Sequence, residues 1–205
     1  MPWRRKFNFG VPSMTILILG IILFIGTHMI RIVAPGFRYA MVQKFGENGW
    51  KAVHGLASLV SLVVLVLGWQ QAPVVDMWFP PKGMTHLTLT LMLFAMICLV
   101  AGLLPAGHIA TKAKHPMVLS VKIWALAHLL SNGDLASVLL FGSFLAWGVI
   151  TRISLKRRQR AGEVTLRPFV SAKWDLAAVV VGLAVYGLFV WKLHALLFGV
   201  APLPM

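Results

Sequence analysis

The chain has 205 residues, of which 59% are hydrophobic and only 12% charged, with a mean hydropathy of +0.85. Soluble domains sit near 45–50% apolar and about 25% charged, so this composition excludes a soluble globular protein and leaves an integral membrane protein. A net charge of +14 would suggest nucleic acid in a soluble chain. Here the cations lie between apolar runs, where they set topology and attract anionic lipid headgroups, and no nucleic-acid partner is expected.

Six apolar runs follow in chain order, against a need of roughly 20 residues to span a bilayer. The first is about 14–33 and the second about 52–70. The third, about 86–104, is stopped by Pro105. The fourth, 116–130, is short. The fifth, 135–150, begins after "SNGD", where Gly133 stops one helix and Asp134 caps the next. The sixth is about 173–198. None alternates with the period of a strand, and backbone groups in lipid must bond internally, so the expected fold is all-α. It is a single transmembrane bundle of about six helices covering residues 1–205.

Six spans put both termini on one face. Thirteen of the 19 Lys and Arg fall on the opposite face, and four, Arg4, Arg5, Lys6 and Lys82, on the termini face. The positive-inside rule then places both termini in the periplasm of a bacterial inner membrane. "MPWRRKFNFG" argues the other way, because it has the basic character of a signal n-region, although no small-residue cleavage pattern follows. Met14 is an alternative start that would remove three of those four cations. "ISLKRRQR" reads as a cytoplasmic surface anchor.

Seven histidines divide into two layers. His28, His54, His108 and His115 lie toward the cytoplasmic side. His86, His128 and His194 lie toward the other. His54 and His108 read as interfacial groups wet by headgroup water. His28 in "LFIGTHMIRI" and His128 in "WALAHLLS" sit among apolar residues, where an ionisable side chain needs a reason. A neutral imidazole has one donor and one acceptor nitrogen, and binding a metal or haem iron uses the acceptor. Other chemistry has little support. The five acids are Glu47, Asp76, Asp134, Glu163 and Asp175, all expected in loops or at helix ends, and no HExxH, CxxC, GxSxG or phosphate-loop motif occurs. The single cysteine, Cys98, excludes an internal disulfide.

Several blocks in order, "GIILFIGTHMIRI", "MWFPPKGMTH", "KHPMVLSVKIWALAHLLSNGD", "LLFGSFLAWGVITRISLKRR" and "LHALLFGVAPLP", resemble the NnrU family of bacterial membrane proteins. The resemblance implies a role in denitrification, since such proteins are linked to expression of nitrite and nitric oxide reductases. More distantly the chain is similar to 15-cis-ζ-carotene isomerases, haem b membrane enzymes whose two axial histidines match His28 and His128. Their WCLAH motif also carries a cysteine that serves as an alternative iron ligand. Ala125 stands at that position here, so the ligand switch is missing.

The resemblance implies a haem b cofactor with His28 and His128 as first-ranked ligands. The two fall about 10–15 Å apart along the membrane normal, which requires helix tilt or displacement of the short fourth span. The alternative pairs His128 with His86 or His194, and His28 with His115 or His54, and holds two haems. Arg31 and Lys122 are candidates to pair with propionates, against plain roles in topology and snorkelling. Trp124 is a candidate to stack on the macrocycle, against ordinary packing.

Three functions are therefore weighed: a haem-binding redox or gas-responsive component supporting denitrification, a haem-dependent cis–trans isomerase of a polyene, and a membrane methyltransferase. The last rests on "KHPMVLS", which is similar to an S-adenosylmethionine-binding RHPxY stretch but lacks its tyrosine. Protein partners are not specified by the sequence.

Overall fold

A computed structural model describes residues 13–203. The basic stretch with Arg4, Arg5 and Lys6 lies outside the described residues. The regular structure of the described residues is helical, with one isolated bridge between Asp76 and Asp134 and non-helical connections such as 72–83 and 161–172. In order the helices are α1 (Ser13–Val33), α2 (Pro35–Gln71), α3 (Met84–Leu103), α4 (His108–Ala113), α5 (Pro116–Ser131), α6 (Leu135–Arg160) and α7 (Lys173–Leu188). A π turn (Phe189–Leu193) and α8 (His194–Phe198) follow. Five helical stretches, the last running from Lys173 to Phe198, are long and apolar enough to cross a bilayer. The expected all-α membrane bundle is therefore the observed one. α5 has 16 residues. At about 1.5 Å per residue it reaches about 24 Å, short of a hydrocarbon core of roughly 30 Å.

Two helices extend beyond the apolar runs read from the sequence. α2 begins at Pro35 rather than near Ala52, with its first stretch joined across a kink at Gly46 (φ 70°, ψ 169°). That left-handed φ is open to glycine and costly to other residues. Glu47 follows this kink at the start of the second stretch, a helix end as expected, and bonds Arg38 at 3.1 Å. α6 continues past Ile150 to Arg160, so Lys156, Arg157, Arg158 and Arg160 occupy helix rather than loop. Lys and Arg are good helix formers, and their position in the last turn suits the helix dipole.

The chain forms two compact units. In the first (residues 1–77 and 134–143), α1 and α2 pack as a close hairpin. A Cβ on Gly20 would strike the backbone of Leu65, and one on Gly68 the backbone of Leu17. Leu17 is fully buried there. Small residues allow such an approach where lipid supplies no hydrophobic drive between helices. Asp134 accepts bonds from Ser137 N at 3.1 Å and Ser137 Oγ at 2.6 Å, the cap that "SNGD" predicts.

In the second unit (residues 78–133 and 144–205), α3 packs on both α5 and α7. The seams are again small: Ala95, Ala101 and Ala178 are buried, Gly102 meets Met117, and Gly182 meets Ile97. Ser120 Oγ, buried on α5, donates to Ala95 O at 2.7 Å, and Thr88 Oγ1 donates to Ala127 O at 3.0 Å. Gly133 serves a close approach rather than a left-handed turn, since a Cβ there would strike Trp78 O, and Trp78 N donates to Gly133 O at 3.1 Å.

Candidate functional site: two imidazole pairs

The histidines come together in pairs, one in each unit. In the first unit His28 lies on α1 and His54 on α2, with ring centroids 5.6 Å apart and planes at 73°. His28 Nδ1 lies 2.7 Å from Phe24 O. A carbonyl only accepts, so that nitrogen carries the proton, and Nε2 is left as the acceptor for the Ser58 hydroxyl at 3.5 Å. His54 Nε2 donates to Thr27 O at 3.3 Å. Its ring also leans on Trp50, which is buried between His54 and Phe37.

In the second unit His128 lies on the last turn of α5 and His194 opens α8. Their rings are nearly parallel, at 16°, with centroids 6.4 Å apart. His128 Nδ1 donates to Trp124 O at 2.9 Å, and His194 Nδ1 donates to Val200 O at 2.7 Å. Both imidazoles thus hold their proton on Nδ1, which makes Nε2 the lone-pair nitrogen in each. The Trp124 ring lies 5.5 Å from His128 and is braced edge-on by Phe144.

The other candidates belong to neither ring pair. His86 is exposed at the start of α3, and the ring beside His128 is that of His194. Arg31 is exposed one turn past His28. The stem of Lys122 lies against Gly148, whose missing Cβ makes room for it. His115 precedes the first residue of α5 without a side-chain cap bond, remote along the helix from His128. His108 is tied by Nδ1 to Asp175 Oδ2 at 3.0 Å. Ala125 is fully buried.

Could these residues hold a haem? Among the described residues no cluster of three His, Cys, Asp or Glu could cage a bare metal ion. A porphyrin brings four of iron's ligands itself, so two imidazoles suffice. With metal–nitrogen bonds of about 2 Å, two Nε2 ligands on one iron put ring centroids about 6 Å apart. The His128–His194 separation matches that span, and the carbonyl bonds at Nδ1 are what orient a metal-ligating histidine. The His28–His54 pair fits less well, because His54 Nε2 is engaged by Thr27 O. The His128–His194 and His28–His54 contacts are among the pairings that the sequence left open as the alternative to His28–His128, but the π turn that precedes His194 was not foreseen.

The family model described as NnrU protein matches residues 16–202. No curated protein and no solved structure matches the chain.

Proposed function

This chain belongs to the NnrU family, and we propose that it is a haem-binding membrane protein acting as a redox or gas-responsive component in denitrifying metabolism. The reading is supported above all by one observation: the parallel imidazoles of His128 and His194, each with its Nδ1 proton committed to a backbone carbonyl. His128 and His194 would hold the iron of a haem b in the second unit. When bound, that haem would supply one-electron chemistry, or a site for a diatomic gas once one imidazole is displaced.

The chain's own residues perform the rest. Trp124 O and Val200 O fix the tautomer and the orientation of each imidazole. Trp124 offers an indole face beside His128. The link to nitrite and nitric oxide metabolism comes from the NnrU resemblance. Both termini in the periplasm of an inner membrane remain part of this proposal, resting on the charge bias of the loops.

Expression in haem-replete cells and purification in detergent tests the reading. The expected product carries a Soret band with a low-spin, six-coordinate reduced spectrum. Protein that is helical and homogeneous but has no Soret band overturns it. The isomerase reading is weakened by the buried methyl of Ala125, which offers no thiolate.

A further inference from the structure

A separate polar site sits at the opposite end of α5, within the second unit. α3 ends at Leu103, and Arg167 reaches back over that end, donating to Leu104 O at 2.9 Å and to Ala101 O and Gly102 O at 3.3 Å. Lys114 then takes a positive φ of 63°, and His115 and Pro116 start α5. Between these elements lies a cavity of about 290 Å³ whose lining includes Gly102, Lys114, His115, Met117, Val118 and Arg167.

The charge in this region is unbalanced. Lys114, Arg152 and Arg167 all bear on the His115 imidazole. The two acids of this part of the chain are committed elsewhere: Glu163 to Arg158 at 3.2 Å, and Asp175 to His108 and Ile109. Two buried polar atoms here, His115 Nε2 and Arg152 Nη1, have no hydrogen-bond partner among the described residues. Buried donors without partners are rare in native proteins, and each points to a missing acceptor. The first turn of α5 has no side-chain cap either, so the amides of Met117 and Val118 add donors at the positive end of a 16-residue helix. The side chains that line the cavity are cationic, imidazole or hydrocarbon, and none is a competing carboxylate.

We propose that this cavity binds a phosphate group, held by Lys114, His115 Nε2–H and the first-turn amides of α5, in the positive field of Arg152 and Arg167. Its position, where an apolar helix meets polar chain, suits the phosphate of an anionic lipid headgroup, and inorganic phosphate shares the same chemistry. Lys114, at φ 63° and ψ −46°, is the centre of a tight turn closed by His115 N donating to Ala113 O at 2.7 Å, and it lines the cavity. Asparagine is close in size to the first part of the lysine side chain and lacks the charge.

Native mass spectrometry of the full-length, detergent-purified protein is the test, with phosphatidylglycerol, diacylglycerol and inorganic phosphate as probes. Wild type should retain one phosphatidylglycerol and no diacylglycerol. Lys114→Asn and His115→Leu should each weaken retention about tenfold, as expected for loss of a charge-assisted or buried hydrogen bond. Lys156→Gln, on the exposed basic end of α6, should leave it unchanged. Displacement of the lipid by millimolar inorganic phosphate would assign the site to free phosphate, and resistance to it would assign the site to a headgroup. Both outcomes support a phosphate site. Equal lipid retention in wild type and in a helical Lys114→Asn protein overturns the proposal, as does failure of wild type to bind any phosphate probe.

Discussion

The imidazole of His194 lies parallel to that of His128, 6.4 Å away, and both donate Nδ1–H to backbone carbonyls. If this pair grips iron, removing either ring changes coordination directly. His128→Ala and His194→Ala are each expected to convert a six-coordinate low-spin spectrum to a five-coordinate one or to lose the haem. His28→Ala and His54→Ala are expected to leave the Soret band in place. An unaltered spectrum in His194→Ala, together with loss in His28→Ala, would restore the His28–His128 pairing ranked first from sequence.

The π turn at Phe189–Leu193 is what brings His194 to this position. Each α-helical residue advances about 100° around the axis, and a π turn takes up one extra residue within a turn. His194 therefore stands where Leu193 would stand in an uninterrupted helix. Deleting Val190 should remove the wide turn and keep the histidine in place, with its haem spectrum intact. Inserting an alanine after Leu193 should rotate His194 away from His128 and remove the six-coordinate signature. Absorption spectra of the two variants check this; identical spectra for both would refute the geometric role of the π turn.

Much of the fold was legible because lipid imposes a plain rule: about 20 apolar residues in a row. α1 and α3 fall within two residues of their expected ends, and Asp134 caps α6 as "SNGD" implied. The first half of α2 was not legible. "PGFRYAMVQKFGEN" has no continuous apolar run, and its kink depends on one glycine angle. The basic end of α6 was read as loop because the charges masked a sequence with good helix propensity. The pairings were the least visible part. Hydrophobicity places a histidine at a depth, but which neighbour it faces depends on helix rotation, and the unpartnered atoms of His115 and Arg152 emerge only when distant segments meet.

The α1–α2 hairpin offers a paired test of packing. A methyl at Gly68 would run into the backbone of Leu17, which cannot turn aside as a side chain can. Gly68→Ala should therefore push the helices apart at a cost of about 1–3 kcal/mol, the usual range for overpacking. Gly26, on α1, faces open space where a methyl would stand, with no atom within 4 Å. Gly26→Ala should be neutral or stabilising by up to about 1 kcal/mol through lower chain entropy. Thermal melts of helicity in one detergent compare the two, and equal melting points would contradict the close approach.

Asp175 joins α7 to the short helix α4. Its Oδ2 accepts from His108 N at 2.7 Å and His108 Nδ1 at 3.0 Å, and its Oδ1 accepts from Ile109 N at 2.8 Å. These amides open α4, whose first-turn donors have no partner within the helix. Gly107 leaves room for the carboxylate, since a Cβ there would overlap it. Asp175→Ala should cost about 1–2 kcal/mol, as loss of a helix cap does, and Asp175→Asn less. Hydrogen exchange at the His108 and Ile109 amides should accelerate in the alanine variant. Unchanged protection there would show that the cap contributes nothing.

His115 gives a pH dependence whose sign can be worked out. Burial, then the charges of Arg152, Lys114 and Arg167, hold its imidazole below the ordinary value of 6.5. In the unfolded chain those influences vanish and the ring takes its proton near that value. As pH falls through this window, the unfolded state binds a proton that the folded state refuses, so stability declines. The decline ends once pH drops below the depressed folded value, and above the ordinary value the contribution is constant. The melting point in non-ionic detergent and phosphate-free buffer should therefore fall between about pH 7 and pH 5, and His115→Leu should lose part of that fall. Leucine cannot be protonated in either state, so its curve reports the remaining groups alone. A variant whose melting point tracks wild type at every pH would show that His115 ionises as freely in the fold as out of it.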